Sequence, residues 1–315
     1  MAQPQPNFGA GGNSTTTYAG EFAGEYIKGA LLSGETLANG LINIKPNVKL
    51  KSVIKTYADT TPIVDATCDF TDNADLALNE RILEPKEFQL NQIFCKDEFQ
   101  KDWEAISMGY SAFDSLPPKF SDFMIATASE RVAQFVEQQI WSGAGGANSF
   151  EGFTSLLTND GGIDVAAAAG GVDASNVIDE MGKIADSIPS AVYAKEDLHI
   201  YVSSNIARAY VRALGGFAAA GVGANGFNNQ GTMWYSSGNL TFDGIKVVVA
   251  QGLANNTAVA AQKSNLYYGT GLLNDTNTVK VIDTSETLGD QNVRVVMRFT
   301  SGVIHGIRSD IKLYA

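Results

Sequence analysis

The strongest periodic signal in the chain is "FSDFMIATASERVAQFVEQQIWSG", residues 120–143. Met124, Ala128, Val132, Phe135, Val136 and Ile140 recur at three-to-four spacing, which lines them along one helical face. Pro117 and Pro118 stand at its start, Ser121 or Asp122 can cap it, and Gly143 ends it. At about 1.5 Å per residue, a helix of roughly 22 residues spans on the order of 33 Å. The pattern predicts a beam. Shorter helices are predicted within 21–40, over "DASNVIDEMGKIADSIP" and over "SNIARAYVRALGG". The second should turn Val177, Ile178, Met181, Ile184 and Ile188 inward, with Asp173 or Ser175 as its cap.

Period-two alternation marks the strands. Val48, Leu50 and Ser52 alternate with Lys49 and Lys51, as in a strand with one wet face, and "RILEPKEFQLNQIF" reads as a returning strand. "LHIYVS" (198–203) is a strand, and "FDGIKVVVAQGLANNTAVAAQKSNLYYGT" reads as a strand pair around an Ala/Asn stretch. "VKVIDTS" and "QNVRVVMRFTSGVIHGIRSDIKLYA" alternate to the C-terminus, with Gly302 at an expected turn or bulge. The segments 143–152 and 164–173 read as flexible connections, and seven glycines across 215–238 as a long mobile loop. Residues 1–20 form a polar arm that cannot build a core. The class is α+β.

At 315 residues and 44% hydrophobic content the chain can bury a large core. Its net charge of −12 repels phosphate backbones, which argues against a dedicated nucleic-acid binder. The start has neither a basic nor an apolar region of a signal peptide, and no window approaches a membrane span, so Asn239 in "NLT" is read as an incidental glycosylation motif. Cys68 and Cys95 have no metal spacing and read as free thiols of a chain made in a cytoplasm. The charges are blocked: Lys45, Lys49, Lys51 and Lys55 occur with no acid between them. Asp65, Asp69, Asp72, Asp75 and Glu80 then follow with no base. Complementary blocks on two returning strands suggest a projecting hairpin that meets another subunit, against the alternative of a merely solvated face.

Catalytic chemistry is not announced. "GYSAF" (109–113) lacks the strained G-x-S-x-G elbow of a serine nucleophile. His199 and His305 fall in strand-like runs and read as hydrogen-bonded structural residues. "DFTDNAD" (69–75) puts Ala74 where a calcium loop needs Gly and offers no Glu at position 12. "GAGG" and "GVGANG" follow no strand and open no helix, as a dinucleotide loop must. No cofactor, metal or catalytic residue is expected.

The order of these elements resembles the major capsid protein of tailed bacteriophages, with the Hong Kong 97 phage fold. "ILEPKEFQLNQIFCKDEFQKD" (82–102) is similar to the returning E-loop strand and entry to the P-domain. Residues 120–143 are similar to the spine helix, and 173–216 to the helix–strand–helix of the A-domain. "DQNVRVVMRFTSGVIHG" resembles the late P-domain strand, with Arg294 or Arg298 on an exposed face. The resemblance implies an N-arm at 1–45, an E-loop with flanking strands at 46–96 and a first P-domain part at 97–172. An A-domain at 173–272 and P-domain strands at 273–315 complete it.

The resemblance further implies a virion subunit that assembles into hexamers and pentamers of an icosahedral or prolate shell around DNA. The DNA would be non-specific content; scaffolding, portal and decoration proteins would be the partners, and no membrane is involved. The lysine block would meet acids such as Asp72 and Asp75 of an adjacent copy. Residues 1–45 are too short for the cleaved scaffolding segment of some relatives, which implies a separate scaffold or an already mature chain. The rival readings are an encapsulin-type nanocompartment shell and a β-rich hydrolase or adhesin.

Overall fold

The computed structural model describes residues 34–48, 50–59, 68, 76–95, 118–214, 240–271, 279–284 and 288–315. In chain order these give α1 (Glu35–Ala38), β1 (Asn43–Lys45), β2 (Ser52–Asp59), β3 (Leu76–Leu83), β4 (Lys86–Cys95) and α2 (Pro118–Ser142). Next come α3 (Phe153–Asn159), α4 (Val177–Ser187), α5 (Ser190–Tyr193), β5 (Leu198–Val202) and α6 (Ser204–Leu214). The last are β6 (Leu240–Phe242), β7 (Ile245–Val249), β8 (Ala258–Gln262), β9 (Leu266–Gly269), β10 (Val279–Asp283), β11 (Asn292–His305) and β12 (Lys312–Tyr314). The loop expected at 215–238 lies outside the described residues.

Two compact units share the chain. The first comprises Met1–Ala30, Glu87–Val132 and Leu272–Phe299. In it β10 runs antiparallel to β11, with Val281 opposite Val295 and Val279 opposite Met297. Val281, Val293, Val295 and Met297 are buried, while Arg294 and Arg298 alternate outward. Strand β4 also pairs with β11, and Phe88 stacks on Phe299 at 5.6 Å between ring centroids.

The second unit comprises Leu31–Lys86, Ala133–Gly271 and Thr300–Ala315. Its main sheet has the order β12-β8-β5-β7-β6, with β5 and β7 parallel and the other pairs antiparallel. All five residues of both β5 and β8 are buried, as in strands covered on both faces. Helices α4 and α6 supply Val177, Met181, Ile184, Ile206 and Tyr210 to this core. A second set of pairings joins β1 parallel to β9 and β9 antiparallel to the end of β11.

Several sequence expectations are corrected. Val48, Leu50 and Lys51 lie in no strand: Val48 turns inward with its N–H on Thr270 O, Leu50 is 81% exposed, and β2 begins only at Ser52. Asn47, at φ 63°, breaks the chain between β1 and β2. The run "RILEPKEFQLNQIF" is two strands, divided at Pro85, which has no N–H to give a ladder. Gly302 is no turn, because β11 continues through it. A Cβ there would stand 2.9 Å from Pro85 Cα, so close backbone approach requires the glycine.

The strand pair read within 242–269 is no pair either. Strand β7 belongs to the main sheet and β9 to the other, and the Ala/Asn stretch between them contains the buried strand β8. Ile178 is 50% exposed, since it sits one residue off the stripe of Val177, Met181, Ile184 and Ile188.

Both expected flexible connections are fixed by hydrogen bonds. In 143–152, Ala144 bridges Glu151, Gly152 N–H bonds Gly143 O at 2.9 Å, and Ser149 Oγ accepts from the amides of Ala144 and Gly145. In 164–173, Val165 N–H bonds Leu313 O and Ala167 N–H bonds Ala315 O, both at 3.0 Å. Their low-complexity composition gave no sign of partners that lie far along the chain.

Candidate functional site

Strands β2 and β3 form a two-stranded antiparallel hairpin in which Ile54 faces Arg81, Lys55 faces Glu80 and Val53 faces Ile82. Alternation gives it two unlike faces. On the inner face Ile54 and Leu83 are buried. Leu83 packs so closely on Gly269 that a Cβ added there would meet its Cδ2 at 2.7 Å.

The outer face carries Val53, Lys55, Leu78, Glu80 and Ile82, all exposed. Lys51 bonds Glu84 at 3.0 Å and Lys55 bonds Glu80 at 3.5 Å. Ion pairs therefore alternate with the apolar pair Val53–Ile82 along a surface that nothing in this chain covers among the described residues. Pairs this exposed are worth about 0–1 kcal/mol each, so they can exchange partners at little cost. Val53, Ile82 and Leu78 leave apolar area open beside these ion pairs.

The residues singled out in the sequence fall in different places. Lys45 is not on the hairpin: it lies in β1, with Nζ 5.1 Å from the centre of the Tyr267 ring, a cation–π contact. Lys51 and Lys55 flank the apolar pair and hold acids of their own chain, Glu84 and Glu80, which sequence reading did not pair with them. The register that makes these pairs comes from hairpin closure, and no local signal announces it. Arg294 and Arg298 are exposed on β11 in the first unit. Lys49, Asp65, Asp69, Asp72 and Asp75 lie outside the described residues.

No group of three or more potential metal-ligating side chains occurs among the described residues. Both cysteines are free. His199 is nearly buried, with Nδ1 2.8 Å from Asp197 O. His305 is buried with Nε2 2.9 Å from Asp160 Oδ2. Among described residues, no helix is long and apolar enough to cross a membrane. Burial pushes the phenols of Tyr201 and Tyr268 far above their usual range; Tyr201 donates to Leu41 O at 2.6 Å, and Ser301 bonds Tyr268. The two phenols pin neighbouring segments through these bonds.

No family model matches the chain, and no curated protein matches it. Solved structures do. A chain of the capsid of a native GTA particle is similar over 100% of this chain and 95% of its own, with TM-score 0.60 and 14% identity. A chain of the satellite phage P4 procapsid, which includes size determination (Sid) protein, covers 92% and 97% respectively, with TM-score 0.53 and 12% identity. A chain of the capsid of cyanophage P-SCSP1u covers 100% and 92%, with TM-score 0.54 and 10% identity. At such identities the likeness is one of fold, and it runs the length of the molecule: this chain has the fold of capsid chains.

Proposed function

We propose that this protein is a major capsid protein, the structural subunit of a tailed-phage head shell. The observation that carries the reading is the end-to-end match to the capsid of the GTA particle, at TM-score 0.60 with both chains almost wholly covered. The hairpin fits the role. A shell closes because each copy presents complementary edges to its neighbours, and the outer face of β2–β3 offers apolar and paired charged groups side by side. Weak contacts of this kind suffice when each subunit makes many of them. The net charge of −12 suits a wall that packaged DNA should not grip. The likeness to phage and GTA capsid chains supports this reading ahead of an encapsulin compartment, a hydrolase or an adhesin.

In finer detail, the reading makes 46–96 the E-loop with its flanking strands and the α2 region the spine helix. Residues 1–45 would be the N-arm, 173–272 the A-domain, and 97–172 with 273–315 the P-domain. Lys49, Lys51 and Lys55 would face acids such as Asp72 and Asp75 of a neighbouring copy, with Arg294 and Arg298 at a second contact. The subunit would be made in the host cytoplasm, assemble as hexamers and pentamers with scaffolding and portal proteins, and reside in the virion. Negative-stain electron microscopy and sedimentation of the purified chain, alone and with a scaffolding protein, test this. Shells, or rings of five and six, are the expected result. A monomer at every concentration and salt tried would overturn the reading.

A further inference from the structure

The inner face of the hairpin meets the body of its unit. Leu83 and Ile54 are buried at its root. Beyond them a cleft of about 450 Å³ opens between Thr56, Asn79 and Arg81 of the hairpin and residues 306–309. Among the described residues one polar side-chain tie reaches across: the guanidinium of Arg81 bonds Asp160 Oδ2, directly after α3. The same oxygen takes His305 Nε2 at 2.9 Å from the end of β11. His305 is 1% exposed, and its Nδ1 has no hydrogen-bond partner among the described residues. A satisfied structural histidine has a use for both ring nitrogens; this one uses a single nitrogen, on the carboxylate that anchors the hairpin. We propose that Arg81, Asp160 and His305 form an acid-released latch that holds the β2–β3 hairpin against its unit.

The neutral ring fits the closed state, with Nε2–H donating to Asp160 and Nδ1 bare. A second proton would place an N–H at Nδ1 with no acceptor, in a buried site that also faces Arg81 and Arg308. Arg308 is fully engaged, on Asp164 at 2.9 Å and on the carbonyls of Gly162 and Ile311, and Lys312 also bonds Asp164, so none of these groups can turn to His305. Lys55 and Glu80 pair on the opposite face of the hairpin.

Burial holds the imidazole below its ordinary 6.5, against the pull of Asp160, and the two arginines push the same way as burial. Burial would raise the Asp160 carboxyl, but hydrogen bonds from His305 and Arg81 outweigh it and hold the group below its ordinary 3.8. Asp160 therefore stays charged through the window in which His305 titrates. Once the hairpin lifts, Arg81 leaves Asp160 and its charge no longer holds His305 down, so the ring takes a proton more readily. Protons thus bind the open form first, and the latch, fully set above pH 6.5, weakens as pH falls below it. One pH unit below that value shifts the opening equilibrium by up to about tenfold.

The test is hydrogen–deuterium exchange of the full-length chain between about pH 7.5 and 5.5, corrected for intrinsic exchange rates. Amides of 52–59 and 76–83 should lose up to about tenfold in protection on acidification, and those of β5 and β8 should not change. In His305→Gln, whose amide still donates to Asp160 but never charges, the loss should be under about twofold. Equal loss in the variant, no loss in the wild type, or loss shared by β5 and β8 would overturn the latch. Should the variant not fold, ¹⁵N shifts of the wild-type ring decide instead. The latch requires the Nε2–H tautomer at pH 7.5 and ring protonation in step with hairpin opening; a ring that protonates while the hairpin stays protected overturns it.

Discussion

Trp141 donates its indole Nε1–H to Thr36 Oγ1 at 2.8 Å, joining residues 105 positions apart. The Thr36 hydroxyl passes the bond on to Glu137 Oε1, and Thr36 N–H bonds Glu137 Oε2 at 3.1 Å. The Trp141 ring lies 4.9 Å from Tyr201 and 5.5 Å from Phe153. One turn of α2 thereby fixes α1. Replacing Trp141 by Phe removes the N–H together with part of a fully buried ring. Lost packing and the lost bond together should cost about 2–4 kcal/mol in urea unfolding; a loss under about 1 kcal/mol would mean that neither holds α1 in place.

Glu137 gives this anchor a pH dependence. Burial raises its carboxyl above the ordinary 4.5, only partly countered by the bonds from Thr36. The folded chain therefore keeps this proton to higher pH than the unfolded chain does. The associated stability is complete below 4.5 and is lost as pH rises through the folded value. Glu137→Ala should cost about 1–3 kcal/mol near pH 5 and less near pH 8. A gap that widens with pH contradicts the assignment.

Gly143 and Gly182 should respond oppositely to alanine. A Cβ at Gly143 would stand 2.1 Å from the carbonyl oxygen of Phe150, which is backbone and cannot yield. Gly143→Ala should cost about 2–4 kcal/mol. Gly182 lies inside α4, and a methyl group there would have open space for 4 Å around it. Gly182→Ala should therefore stabilise by about 0.5–1 kcal/mol. Thermal melts of the two variants separate them.

On the capsid reading, the hairpin separates folding from assembly. Leu83 at its root is fully buried, so Leu83→Ala should cost about 2–5 kcal/mol in unfolding. Val53 and Ile82, on the outer face, are 45% and 52% exposed. The double change Val53→Ser with Ile82→Ser should move the unfolding free energy by under about 1 kcal/mol, yet lower the yield of shells. An unchanged yield would remove this face from the assembly contact.

The ion pairs of that face give a salt-dependent counterpart. Lys51→Glu with Lys55→Glu sets like charges against Glu84 and Glu80. Monomer stability should fall by about 1 kcal/mol at most, since the pairs are exposed. Assembly should weaken at low salt and recover as salt screens the repulsion. An assembly yield indifferent to both charge and salt would set the lysine block aside.

Signals carried within one turn or one strand were legible along the chain. The end and buried face of α2 follow from Gly143 and the spacing Met124–Ala128–Val132–Val136–Ile140, but its start lies at Pro118, ahead of the caps read at Ser121 or Asp122. The alternation that turns Arg294 and Arg298 outward on β11 was equally local. Of the candidate surface, the sequence showed that lysines gather before residue 56, but not that Lys51 and Lys55 would face Glu84 and Glu80. Nor did it mark Arg81, Asp160 and His305 as belonging together, because 79 and 145 residues separate Asp160 from its two partners.

Amino-acid order alone therefore determined the helices, most strands and the α+β class, because backbone periodicity is set by neighbours three, four or two residues away. Tertiary structure decided which strands share a sheet, which poor-looking loops are held rigid, and which buried polar group meets which partner. Those choices depend on closing long stretches of chain, where the partner's identity is written nowhere near the residue that needs it.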